Sequence, residues 1–238
     1  MPKNIRGYGQ IEIYSRKSSK GYRRLNGFLK QFMIGSIKTA YSFYDRADYL
    51  PFNYGERQLS SILCPALSKL TQTVFMEVPL DRVLLHKNQR RIKNKIRKGW
   101  VDYTCQYGSP PIDYFIEVKH SWNCCWKDSV SQDPNKKWQS VVNQLNTVKG
   151  QVKNWSSNIG SMRIAVLFLI HYSNNKTING FSFSQMQNQH DKVIGGMKKK
   201  PNWSALLFLH KKYHEPYEPG KFIPAISWYA FAYSIQKN

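Results

Sequence analysis

Two carboxylates and one ammonium have a spacing that lets them meet in this 238-residue chain: Asp102 in "GWVDYT", then Glu117 and Lys119 in "IEVKH". Alternate residues of a strand project from one face, so Glu117 and Lys119 point together while Ile116 and Val118 turn toward the core. A hairpin partner brings Asp102 alongside them. Such a trio suits phosphodiester hydrolysis. Magnesium binds through one or two carboxylates plus phosphate oxygens and keeps several waters, so few acids suffice. It polarises the phosphate and lowers the pKa of a bound water. Lys119 would orient that water and stabilise the negative charge developing on the phosphoryl oxygens. The plainer reading is that the acids are strand-end charges or turn caps and the lysine is a solvated surface group.

The neighbouring segments supply elements to hold such a trio. In "YGERQLSSILCPALSKL", counting from Glu56, Leu59, Leu63, Leu67 and Leu70 fall at i+3, i+7, i+11 and i+14, one face of an amphipathic helix that Glu56 shares. Glu56 equally complements the helix dipole, and Pro65 implies a kink or a second short helix. "TVFMEVPL" reads as a strand with Val74, Met76, Val78 and Leu80 on one face; Glu77, on the other, reads as structural. "WVDYTCQY" and "IDYFIEVKH" form a hairpin across "GSPP". Asp113 also lies on the Glu117 face, as the alternative to Asp102. The chain's clearest helix spans 136–155, through Trp138, Val141, Val142, Leu145, Val148, Val152 and Trp155. "RIAVLFLIHY" is apolar at both parities, as in a strand covered on both faces. The following polar stretch reads as loop, and "WSALLFLH" and "AISWYAFAYS" as further strands. The order implies an α/β layer fold with a mixed sheet.

Charge narrows the partners. Lys plus Arg number 36 against 14 Asp plus Glu, a net charge of +22, which favours a polyanion because each neutralised phosphate releases condensed counterions. Nucleic acid leads; no polybasic amphipathic helix with a clean apolar face supports a membrane surface. The apolar run "IAVLFLI" is far shorter than a bilayer span. No apolar segment follows the first positive residues, so a cytoplasmic location and reduced thiols are expected. The "CC" pair lacks zinc-knuckle spacing, the six histidines show no metal-ligand spacing, and "GGMKKKP" is not a nucleotide-binding loop. Basic residues gather before residue 50, with Arg23 and Arg24, and between 81 and 99, with Arg90, Arg91, Lys93, Lys95, Arg97 and Lys98. These are the candidate phosphate contacts.

Asp102, then Glu117, Val118 and Lys119 with fourteen residues between the two acids, together with the helix-borne Glu56, resemble the PD-(D/E)xK nuclease superfamily. Val101 stands where that pattern has proline. The resemblance covers about half the chain and implies a restriction-endonuclease-like core, α-β-β-β-α-β, over 51–175, with a mixed central sheet flanked by helices. A basic N-terminal extension (1–50) and a β-rich C-terminal extension (176–238) flank it. It further implies a metal-dependent deoxyribonuclease, expected to be an endonuclease of restriction, defence, transposition or repair. Asp102, Glu117, the Val118 carbonyl and Glu56 would hold Mg²⁺ or Mn²⁺, and Lys119 would activate water. Gln144, on the following helix, would contact metal-bound water or DNA, and His120 a phosphate. Two readings stand beside this one: a non-catalytic nucleic-acid-binding protein of the same fold, and a ribonuclease acting on RNA. Assembly as a homodimer or with a partner subunit is compatible with all three.

Overall fold

The strand containing "IAVLFLI" organises the architecture, because a strand apolar at both parities must be covered on both sides. The structure is a computed structural model describing residues 2–5, 7–15, 22–53, 55–83, 96–125, 132–148, 160–174, 181–214 and 222–235. Eight strands, β1 (Lys3–Ile5), β2 (Gly9–Ser15), β3 (Val74–Val83), β4 (Ile96–Tyr107), β5 (Ile112–Cys124), β6 (Ser161–Ser173), β7 (Trp203–Leu209) and β8 (Phe222–Ile235), build one sheet. Their spatial order is β1-β2-β7-β8-β6-β5-β4-β3. β5 and β6 run parallel and all other neighbours antiparallel, so the sheet is mixed. The described residues also form four α-helices, α1 (Tyr22–Ala47), α2 (Glu56–Leu70), α3 (Gln132–Thr147) and α4 (Phe183–Gly196), and two short 3-10 turns at Pro51–Asn53 and Lys211–Tyr213.

β6 sits near the middle and feeds two cores. Ile164, Val166 and Phe168 pack with Phe28 and Phe32 of α1 and Leu63 of α2. Ala165, Leu167 and Leu169 pack with Trp138, Val142 and Leu145 of α3 and Val193 of α4. Each fully buried Leu, Val or Phe in these layers contributes about 1.5–3 kcal/mol. The order α2, β3, β4, β5, α3, β6 follows the expected helix, three strands, helix, strand, with α3 making the crossover that a parallel pair requires. No helix among the described residues is long and apolar enough to cross a membrane, and all four cysteines are unbridged.

Two segments differ from expectation. Residues 22–47, read as a loosely patterned part of a basic extension, form the long helix α1, whose Phe28, Phe32 and Tyr41 are fully buried. Basic residues and two glycines dilute its apolar stripe, yet Gly35 is what lets α1 approach α2, since a Cβ there would lie 3.3 Å from the Ala66 Cβ. Residues 183–196, read as loop, form α4. It is started by a capping box in which the Ser182 side chain accepts from the Gln185 backbone and the Gln185 side chain accepts from the Ser182 backbone. Its buried face holds Gln189 and His190 beside Met186 and Val193, so polarity concealed the period. Of the two alternatives at Pro65, α2 continues as a single helix and no second helix begins there. Val152 and Trp155 lie outside the described residues.

The polar interior of this half is a hydrogen-bonded chain. His171 Nε2 meets Ser227 Oγ at 2.7 Å, Ser227 Oγ meets His190 Nδ1 at 2.8 Å, and His190 Nε2 meets Ser204 Oγ at 3.1 Å. Asn123 Nδ2 lies 3.4 Å from His171 Nδ1 at the other end. Burial pulls both imidazoles down to about 3, and His171 further disfavours charge on His190. The unfolded chain takes up these protons near pH ~6.5. Stability from the pair is therefore complete above that pH and is lost as pH falls toward 3. Denaturant midpoints should drop through this window, and His190→Gln should flatten the slope by roughly 1 kcal/mol per pH unit. An unchanged slope would contradict the neutral assignment.

Candidate active site

β4 and β5 pair from Tyr107↔Ile112 to Tyr103↔Ile116 and then part. Beyond that point β4 stays with β3 and β5 stays with β6. At the fork the Val118 N–H, which a continuing ladder would give to β4, donates instead to Asp102 Oδ2 at 2.7 Å. Asp102 thus substitutes a carboxylate for a backbone acceptor. The facing strand is irregular at the same level: Met76↔Tyr103 and Val78↔Val101 pair around the Glu77 and Asp102 positions, and Glu77 has φ +50°. That left-handed conformation in a non-glycine residue costs on the order of 1–3 kcal/mol, and such outliers gather at functional sites. It also breaks the expected face, leaving Met76 42% exposed while Val78 and Leu80 are buried.

A cleft of about 140 Å³ opens here, lined by Glu56, Arg57, Glu77, Asp102, Tyr103 and Val118 among others. Glu56 begins α2, whose buried Leu59, Leu63 and Leu67 fix its approach to the sheet. Lys119 Nζ reaches Glu56 Oε2 at 3.0 Å, with side chains 19% and 42% exposed. The Tyr103 hydroxyl donates to Ser60 Oγ at 2.9 Å. Its pKa is pushed up to about 12, chiefly by burial and further by Asp102 and Glu77, so it remains a protonated donor and is no base at neutral pH.

The structure brings Asp102, Val118, Lys119 and Glu56 together. Glu117 is placed differently. It registers with Ala165, beneath α3, whereas Val118 registers with Val166, beneath α1 and α2. Glu117 is 2% exposed and does not line the cleft. Asp113 stands at the opposite end of β5, where its Oδ1 accepts from Gln106 Nε2 at 2.8 Å, so it does not join Asp102. Gln144 lines a separate groove with Trp100. His120 is buried beside the start of α2, its ring bonded to the Phe52 carbonyl and its Nε2 without a partner. Burial pulls its pKa down to about 4, so it is a neutral group that brings no charge to a phosphate at neutral pH.

Among the basic candidates, Arg23 is exposed. Arg24 instead donates to the Ser109 and Pro110 carbonyls, both at 3.0 Å, and pins the β4–β5 turn. Arg90, Arg91, Lys93 and Lys95 lie outside the described residues, and for Arg97 and Lys98 only the strand backbone is described. Glu77 and Arg57 were not singled out as site residues. Arg57 follows Glu56 at a helix start, a signal that sequence offered, whereas Glu77 enters the cleft through a backbone twist that no side-chain pattern encodes.

Among the described residues no three His, Cys, Asp or Glu side chains gather as a group able to hold a metal ion. The cleft does offer hard carboxylate oxygens from Asp102 and Glu56. That donor set suits Mg²⁺, which takes one or two carboxylates and completes its shell with water and substrate oxygens. Comparison with protein-family models, curated proteins and solved structures returns no match.

Removing the Asp102 carboxylate leaves the Val118 N–H unmet. Asp102→Ala should therefore cost about 1–3 kcal/mol in chemical denaturation, and Asp102→Asn, which keeps an acceptor oxygen, less. Lys119→Ala breaks only a part-exposed ion pair and should cost under about 1 kcal/mol. Equal stability of Asp102→Ala and the wild type would show that the fork does not rely on this bond.

Proposed function

We propose that the protein is a metal-dependent nuclease hydrolysing DNA phosphodiester bonds, built on a restriction-endonuclease-like core. The observation that carries this reading is the fork itself: a carboxylate set between two parting strands, with the Lys119–Glu56 pair at its rim. A net charge of +22 supports a polyanionic substrate.

Asp102 and Glu56 would hold the Mg²⁺, with the Val118 carbonyl as a further oxygen the resemblance supplies; Glu117, buried and outside the cleft lining, takes no part in this arrangement. When bound, the metal polarises the phosphate and acidifies a water. Asp102 is already oriented for its part, because the Val118 N–H fixes one carboxylate oxygen and so the other. Lys119 donates from Nζ toward the phosphate oxygens and steadies the attacking water, either through its remaining N–H groups or by releasing its present bond to Glu56. Such a release is cheap, since a part-exposed ion pair contributes little. Arg57 and the exposed Arg23 would add sequence-independent attraction.

The burial of Glu117 favours one other reading, nucleic-acid binding without cleavage. Incubation of supercoiled, linear and single-stranded DNA and matched RNA with Mg²⁺ or Mn²⁺ separates the two. We expect cleavage by the wild type that falls at least about 10²-fold in Asp102→Asn and Lys119→Ala. Binding without metal-dependent cleavage would establish the second reading, and unimpaired cleavage by both variants would place the chemistry elsewhere. In either case affinity should fall steeply and log-linearly with salt.

A further inference from the structure

An open groove of about 830 Å³ lies between β4 and α3. One wall is the indole of Trp100, 62% exposed, the largest exposure among the buried-type side chains of the described residues. The other wall is the outward face of α3, where Lys136, Gln139, Ser140, Asn143 and Gln144 recur at helical spacing. Gln139 Nε2 donates to Asn143 Oδ1 at 2.9 Å.

The chemistry of this lining differs from the cleft beside it. Among the described residues no carboxylate lines the groove, whereas three line the cleft. A flat aromatic face opposed by amides, each carrying donors and an acceptor, matches a planar heterocycle with donors and acceptors on its edge. A base inside a duplex keeps its faces stacked on its neighbours and cannot offer one to an indole. Trp100 precedes Asp102 by two residues, a rise of about 6.5 Å along the strand, close to two stacked nucleotides at ~3.4 Å each. Basic sequence, including Arg97 and Lys98, leads directly into Trp100.

We propose that the groove binds an unpaired nucleobase, stacked on Trp100 and contacted at its edge by Gln139 and Asn143, in the strand whose phosphate occupies the Asp102 cleft. This rests on the nuclease reading and narrows it: the substrate presents at least one unpaired nucleotide next to the bond being cut. Stacking serves DNA and RNA alike, because every base has a π-face.

The test is binding in EDTA, where cleavage cannot intervene, of single-stranded DNA and RNA oligonucleotides carrying 2-aminopurine and of a fully paired duplex of the same length. The wild type should bind single strands more tightly than the duplex and quench the 2-aminopurine. Trp100→Ala should bind about ten-fold more weakly and lose the quenching, and Trp100→Phe should keep most of both. The tighter of the DNA and RNA arms identifies the sugar. If Trp100→Ala binds and quenches like the wild type, the groove proposal falls while the nuclease reading stands. If the wild type binds none of the nucleic acids, both fall. Preference for the duplex with no quenching would also overturn the proposal.

Discussion

From Asp113↔Ser161 to Cys124↔Tyr172 the two central strands β5 and β6 run side by side in the same direction. A parallel pair cannot close through a tight turn; the chain must travel back over one face of the sheet before it can begin the second strand. Here α3 makes that return, and its apolar side occupies one face of β6. The opposite face must then be covered by something else, and α1 and α2 supply it. The later strands β7 and β8 extend the sheet on the far side of β6, and β3 and β4 extend it beyond β5. The position of α2, and with it of Glu56, therefore follows from a pairing made far from it in sequence.

The same pairing creates the candidate site. β5 is held by β6 along its whole length and β4 is held by β3, so when the two pairs diverge past Tyr103↔Ile116 neither strand can follow the other. The backbone polar groups exposed by that divergence need partners. Asp102 answers one of them with a charge-assisted bond, which is shorter and stronger than an amide–carbonyl bond. A structural requirement and a chemically useful carboxylate thus coincide in one residue. Glu77, in its left-handed conformation opposite, marks the same discontinuity on the neighbouring strand.

Much of this arrangement was legible in the residues. The double-sided apolarity of β6, the alternation in β5 and the leucine stripe of α2 each reflect a single burial environment, and each element formed where its pattern lies. α1 and α4 were less legible because their buried faces mix aromatic, small and polar side chains, which hides the helical period. Of the proposed site, Glu56 was marked by its place at the start of α2, and Asp102 and Lys119 by their spacing, although both lie inside long strands and not at strand ends. The placement of Glu117 could not be read. Strand alternation puts Glu117 and Lys119 on one face, but it does not reveal that a four-carbon stem lets Lys119 reach across to Glu56 while the shorter Glu117 stays buried.

The chain from Asn123 to Ser204 has a sense of direction at its first imidazole. The Asn123 amide nitrogen can only donate, so His171 Nδ1 must accept and its Nε2 must carry the hydrogen. Ser227 Oγ then receives that hydrogen, and it also bonds His190 Nδ1, whose Nε2 meets Ser204. One amide on β5 therefore sets the tautomer of the first imidazole, and a serine on β8 ties that imidazole to the second. The four strands β5, β6, β8 and β7 are thus stitched together through α4 by one polar seam.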